Sequence, residues 1–283
     1  MNQSERRHYL IQYLLKEHPE YQDMNIPAGK QEQKLLLRGL MNVRMPQNAN
    51  VEFLTVQDAY LKEETERKTI TRLLDLKPVQ EGIYLWQGDI TALECDAIVN
   101  AANSGMTGCY VPNHRCIDNC IHTFAGVQLR LECARIMLEQ GYEEPTGQAK
   151  ITKAYNLPCN YILHTVGPII QGKLTKRDEE LLASCYRSCL QVAVDNGIRS
   201  IAFPSISTGI YHFPLYEAVK IAVRTAKEFA AEYPGELDVI KWVLFDDNTL
   251  KAYADEIEHW RVSEMVQSPN FYSMNKMLRD GGC

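Results

Sequence analysis

No apolar run in this sequence approaches the roughly 18 residues that a membrane-spanning helix needs, which excludes an integral protein of the helical kind. The opening stretch, MNQSERRHYLIQYLLKEHPEY, scatters charges among its apolar positions and so lacks the core of a secretory signal peptide. A cytoplasmic location with no membrane partner is the default expectation. A basic excess is also missing. The formal net charge is −6 and no stripe of Lys and Arg stands out, so nucleic acid is not an expected partner. An anionic ligand would have to be held by local backbone and loop groups, not by the field of the whole protein. Internal repeats and low-complexity tracts are absent. What remains is a chain of 283 residues, 45% hydrophobic and 23% charged, as expected of a globular protein with a substantial core.

Cysteine is not scarce. There are nine, an odd number. In a chain expected in the cytoplasm a disulfide framework is not anticipated. Cys95, Cys133, Cys159, Cys185 and Cys189 read as buried thiols. Cys109, Cys116 and Cys120 stand apart, crowded around His114.

Residues 1–75 read as a helical extension, 76–262 as the main domain and 263–283 as a peripheral tail. In the extension, Tyr9, Leu10, Tyr13 and Leu14 share a stripe over 5–17, and Leu35, Leu36, Leu40 and Val43 over 31–44. Over 56–74, Ala59, Tyr60, Ile70, Leu73 and Leu74 are available for packing. After Pro78 the pattern changes. Strands are expected at Gly82–Gln87, Ala97–Asn100, Ala149–Tyr155, Tyr161–Val166, Ser200–Phe203 and Val239–Phe245. Helices are expected near 118–140, 177–196, 215–232 and 248–260. This alternation predicts an α/β fold with a mixed or parallel sheet covered on both faces. Ligands of such sheets bind in loops beyond the carboxyl ends of strands.

Three of those loops carry unusual residues. The first is Gln87-Gly88-Asp89-Ile90-Thr91. Asp89 either caps the next segment or accepts from a base edge. The second follows the strand that ends in Asn100 and runs through Asn103, Gly105 and Gly108 to Cys109, His114 and Cys116. Two thiolates and an imidazole suit zinc, and a loop with Gly108 and Pro112 can aim them at one centre as a helix could not. Three ligands leave an open position, as catalytic zinc requires; Cys120, one helical turn beyond Cys116, is the rival fourth that would close the site. A zinc deaminase is excluded, because His114 is followed by Arg115-Cys116 where a His-x-Glu would be needed, and no Pro-Cys-x-x-Cys follows. The third loop, Pro204-Ser205-Ile206-Ser207-Thr208-Gly209-Ile210-Tyr211, joins a strand to a helix and offers backbone N–H groups to a diphosphate, with Gly209 permitting close approach.

Together these loops resemble the macrodomain family. The matching pieces are Gly88-Asp89-Ile90-Thr91, Ile98-Val99-Asn100-Ala101-Ala102-Asn103 and Ser205-Ile206-Ser207-Thr208-Gly209-Ile210-Tyr211, in order over about 80–260. The segment Gly108-Cys109-Tyr110-Val111-Pro112-Asn113-His114-Arg115-Cys116-Ile117-Asp118-Asn119 is similar to the zinc-containing microbial subclass, which also carries a helical N-terminal extension. The resemblance implies a three-layer α/β/α fold with a mixed central sheet. It implies that ADP-ribose binds, with Asp89 and the Ile90 amide on adenine and Ser207, Thr208, Gly209, Ile210 and Tyr211 around the diphosphate and distal ribose. Asn103 would hold that ribose, the backbone at Ile117 and Asp118 would complete its wall, and Cys109, His114 and Cys116 would ligate Zn2+.

The implied reaction is zinc-assisted hydrolysis of mono-ADP-ribose from modified proteins. Asn103, Asp118 and Cys116 are the expected catalytic group: one positions the sugar, one accepts a proton, one holds the metal. Asp118 has the alternative of capping the helix that follows. The subclass is associated with a lipoylated carrier protein related to the glycine-cleavage system, which makes that carrier a candidate substrate. A non-catalytic reader of ADP-ribose with a structural zinc, or a deacetylase of O-acetyl-ADP-ribose, are the competing expectations.

Overall fold

A computed structural model describes residues 1–21, 23–72 and 75–267, with the side chains of 261–267 left undescribed. The central sheet has six strands: β2 (Ile83–Gln87), β4 (Ala97–Ala102), β5 (Ala149–Lys153), β6 (Tyr161–Val166), β7 (Ser200–Phe203) and β8 (Val239–Leu244). Their spatial order is β2-β8-β7-β4-β6-β5. All neighbours are parallel except β5, which runs antiparallel to β6. A two-stranded parallel pair, β1 (Thr71–Arg72) with β3 (Leu93–Glu94), lies beside it. The mixed sheet anticipated from the alternation is therefore present.

Side-chain alternation along the strands builds two cores. Ala97, Val99, Leu163, Ile201, Phe203, Ile240 and Trp242 face α6 (Lys176–Asp195), α7 (Leu215–Glu232) and α8 (Asp247–Gln267). Ile98, Ile162, Ala202 and Val243 face α4 (Ile117–Ala125) and α5 (Val127–Gln140). The result is three layers. The helix expected over 118–140 is two helices, broken at Gly126, whose φ of 103° is closed to most side chains. A Cβ there would also meet the side chains of Gln57, Gln128 and Asn156. The last helix extends past the expected 260 into the segment assigned to the tail, and 268–283 lie outside the described residues.

The extension forms α1 (Gln3–Lys16), α2 (Lys30–Val43) and α3 (Val51–Glu66), which share a core of Leu10, Ile11, Leu14, Leu37, Leu40, Phe53 and Tyr60. Val127 of α5 joins this core, so the extension stacks on the α4/α5 layer. Asn50 caps α3 by accepting from the Phe53 amide, and that helix therefore starts earlier and ends earlier than 56–74. Leu35, expected on the buried stripe, is 56% exposed; three successive leucines cannot fix the helical phase, and Leu37 and Leu40 are the buried ones. Leu73 and Leu74 lie outside the described residues.

Candidate active site

Parallel strands put Gln87, Ala102, Val166, Phe203 and Leu244 at one rim of the sheet. The loops that follow them meet there. The Ile170 amide donates to the Tyr211 carbonyl, tying the loop after β6 to the loop after β7. Gly167 makes this approach possible: a Cβ on it would lie 2.1 Å from Ser207 Oγ. Sequence reading missed Gly167, and an isolated glycine just past a strand was the available signal.

The loop from Asn103 to Cys116 has three left-handed residues, Met106, Gly108 and Asn113, at φ 61°, 86° and 59°. At Gly108 there is no room for anything larger, since a Cβ would lie 2.7 Å from the His122 ring. Folded this way, the loop brings Cys109 Sγ, His114 and Cys116 Sγ within 4.8 Å of one another, with Cys109 Sγ 3.7 Å from His114 Nδ1. Tetrahedral zinc with Zn–S near 2.3 Å and Zn–N near 2.0 Å would space such atoms about 3.5–3.8 Å apart. The donor set fits that ion, and the Cys109–His114 separation matches this spacing. Cys120 is not in the group; its sulfur accepts from Arg38 Nη2 at 3.4 Å. Burial pushes the Cys116 thiol up to about 12, and the neighbouring Cys109 and Asp118 add to it.

Cys116, not Asp118, caps α4: its sulfur accepts from the Asn119 amide. Asp118 instead turns inward and is 5% exposed. Asn100 Nδ2 donates to its Oδ1 at 2.8 Å and Asn103 Nδ2 to its Oδ2 at 3.3 Å. Burial raises its carboxyl to about 6, against the pull of Asn100, Arg130 and Asn103. Asn103 also donates to the Gly108 carbonyl and accepts from the Gly105 amide, so Asn103 and Asp118 are joined beside the cysteine loop. The sequence pattern ends this strand at Asn100; the structure carries it to Ala102, so Asn100 is an interior residue of β4 that sequence alone leaves without a role.

A second set of ligand-type atoms, on His122, Cys133 and His164, also lies within 4.8 Å. Asn100 Nδ2 lies 3.1 Å from His164 Nδ1, so that nitrogen is the acceptor and Nε2–H donates to Thr152 Oγ1 at 2.9 Å. With both nitrogens engaged, His164 is a member of a polar core network.

At the opposite end of the rim, Asp89 accepts from the Thr91 amide and hydroxyl through Oδ1 and pairs with Lys68 Nζ through Oδ2 at 3.0 Å. Burial opposes ionisation, yet Thr91 and Lys68 bring the carboxyl below its ordinary range. It caps a short turn, Ile90–Ala92, and its side chain remains half-exposed. Phe245, directly after β8, is 89% exposed, and its carbonyl accepts from Gln87 Nε2. A bare aromatic tied to Gln87, two residues before Asp89, is a ring available for stacking on a planar base. The sequence pattern carries the strand through Phe245, whereas the structure ends it at Leu244.

In the third loop Ser207 has φ 64° and is 7% exposed, and its hydroxyl has no hydrogen-bond partner among the described residues. Thr208 Oγ1 donates to the Ser205 carbonyl. A Cβ on Gly209 would meet no atom of the described residues within 4 Å. Ile210 is 67% exposed. Burial raises the Tyr211 phenol, and Asp118 and Cys116 add to the rise.

The fold and this rim define a macrodomain. The Macro domain family model matches residues 99–222. The chain is 59% identical over 244 residues to a protein-ADP-ribose hydrolase of Treponema medium, covering 85% of this chain and 94% of that protein. It is 46% identical over 252 residues to a protein-ADP-ribose hydrolase of Staphylococcus aureus strain MSSA476, covering 88% and 94%. The crystal structure of a Trypanosoma brucei macrodomain in complex with ADP-ribose superposes with a TM-score of 0.61 at 30% identity, covering 78% of this chain and 94% of that one. The chain belongs to the Macro domain family.

Proposed function

We propose that the protein binds ADP-ribose across this rim and hydrolyses mono-ADP-ribose from modified proteins, with zinc held by Cys109, His114 and Cys116. The observation that carries the proposal is the meeting of two thiols and an imidazole beside the hydrogen-bonded Asn103–Asp118 pair. Relatives bearing the hydrolase name over nearly their whole length support the reaction class.

In this reading the base lies between Phe245 and Asp89, and the diphosphate lies against the 207–211 backbone. The bond to break joins C1″ of the distal ribose to the acceptor side chain, and water adds across it. Such cleavage passes through a cationic sugar and ordinarily employs carboxylates. When bound, zinc supplies Lewis acidity toward an oxygen of the sugar or of water. Asp118, raised to about 6, is suited to hold or release a proton at Oδ2 near neutral pH, and Asn103 fixes that oxygen in place. The seal of Asn100 and Asn103 around Asp118 favours the reader alternative, since a buried carboxylate also serves simply to position a loop.

The test is release of free ADP-ribose from a mono-ADP-ribosylated protein. Cys116→Ala should abolish release while ADP-ribose binding persists. Equal turnover by variant and wild type removes zinc from the mechanism. Binding without turnover by the wild type makes the protein a reader. O-acetyl-ADP-ribose supplied in the same assay checks the deacetylase alternative.

A further inference from the structure

We infer that the helical extension is a working part of the cysteine loop: Arg38 and Asn42 of α2, acting with Arg130 of α5, are positioning residues that fix the donor geometry of Cys109, His114 and Cys116. This inference rests on the zinc reading above.

Residues 103–116 have no helix or strand of their own, and three of them sit in the left-handed region. Nothing in the sheet ladder holds them. The groups that do come largely from elsewhere in the chain. Arg38 Nη2 donates to the His114 carbonyl at 2.8 Å and to Asn119 Oδ1 at 3.0 Å. Asn119 in turn donates through Nδ2 to the carbonyls of Cys109 and Val111. One guanidinium on the extension thus holds the backbone of one candidate ligand directly and of another through a fully buried amide.

Asn42, 1% exposed, works on the next residue along. Its Oδ1 accepts from the amide of Asn113, a left-handed residue one position before His114, and its Nδ2 donates to Thr123 Oγ1 on α4. Arg130 joins the two bodies. Its Nη1 donates to the carbonyls of Asn42 and Arg44, which end α2, while Nε and Nη2 donate to the carbonyls of Thr107 and Cys109. The packing is close enough that a Cβ on Gly39 would stand 3.3 Å from Asn113 Nδ2.

Ligands carried by an irregular loop bind metal tightly only when their own supports are fixed, and loss of such supports commonly lowers metal affinity or activity about 10–100-fold. The test uses the full chain loaded with one equivalent of zinc. It measures the rate of zinc loss to a chromogenic chelator, the absorption spectrum of the cobalt(II)-substituted protein, and the melting temperature. Arg38→Met should release zinc about 10–100-fold faster, with an altered cobalt spectrum, at a melting temperature near that of the wild type. Arg38→Lys, which keeps the charge but not the fork, should fall between the two. Asn42→Ala should act in the same direction; if it fails to fold, Arg38→Met carries the test alone. In turnover, kcat should fall with KM little changed. Wild-type zinc retention and spectrum in Arg38→Met would overturn the positioning role and leave the proposed function standing. A wild-type chain that binds no zinc overturns both.

Discussion

Replacing Gly108 with alanine tests the loop at its tightest point. The perturbation has two parts. A side chain at φ 86° is strained by roughly 1–2 kcal/mol. The new Cβ would also stand 2.7 Å and 2.8 Å from His122 Cγ and Cδ2, closer than real contacts allow. His122 is 4% exposed, so its ring cannot swing into solvent, and overpacking of this kind costs about 1–3 kcal/mol. The sum is about 2–5 kcal/mol. Urea unfolding of the metal-free protein should show it as a lowered midpoint with an unchanged slope. Zinc content should fall in parallel, because Gly108 precedes Cys109 and its carbonyl is held by Asn103. A variant within about 0.5 kcal/mol of wild type, carrying full zinc, would refute the argument that the His122 ring and the left-handed turn fix this loop.

Gly209→Ala should behave in the opposite way: stability unchanged or raised by a few tenths of a kcal/mol, since open space surrounds the new methyl, and ADP-ribose affinity reduced about tenfold by calorimetry. Phe245→Ala should weaken ADP-ribose binding by about 0.5–1.5 kcal/mol without altering melting temperature or zinc content, as fits a ring that is 89% exposed. Cys120→Ala should keep one equivalent of zinc by elemental analysis; loss of the metal would make the site four-coordinate. Stability of the metal-free protein should depend on pH through His164, whose imidazole burial lowers to about 3. Between pH 6.5 and 3 the unfolded chain takes up a proton that the native one refuses, so stability falls with falling pH by about 1.4 kcal/mol per pH unit. His122, also lowered by burial, adds a slope of the same sign. Asp118 works against both: raised to about 6, it binds a proton in the native state first, so its contribution is present at low pH and lost on passing pH 6. His164→Gln should remove one share of the net acid destabilisation in a urea series.

The strands were the most legible part of the chain, because short, nearly continuous apolar runs punctuated by glycine and proline are what a parallel sheet covered on both faces requires. Tyr161–Val166 and Ser200–Phe203 form as their sequences suggest. The extension was less legible. The buried faces of α1, α2 and α3 include Arg7, Asn42 and Gln57, which no hydrophobic pattern marks. Arg44, next to α2, is buried at 2% because Glu17 takes its guanidinium through two hydrogen bonds. In the rim, the identities of Cys109, His114 and Cys116 were readable, but the direction of Asp118 was not. Its position in the first turn of a helix suggests a cap, and only the tertiary placement of Asn100 and Asn103 turns it inward. Gly167 and Phe245 escaped notice because their roles arise from neighbours across the sheet: Ser207 for one, and the parallel pairing of β2 with β8 for the other.

The division of labour between sheet and extension follows from hydrogen-bond accounting. At Asp89, Ser207 and Phe245 the rim is built from short connections at strand ends, whose backbone directions the ladder already sets. A loop such as 103–116 has no ladder, and its buried carbonyls must find side-chain donors. They find Asn103, Asn119, Arg130 and Arg38. Three of these are side chains of the main domain, and the fourth requires α2. A chain that places metal donors on an irregular loop therefore needs extra cations and amides packed against that loop. The helices of residues 1–66 supply the share that the sheet cannot.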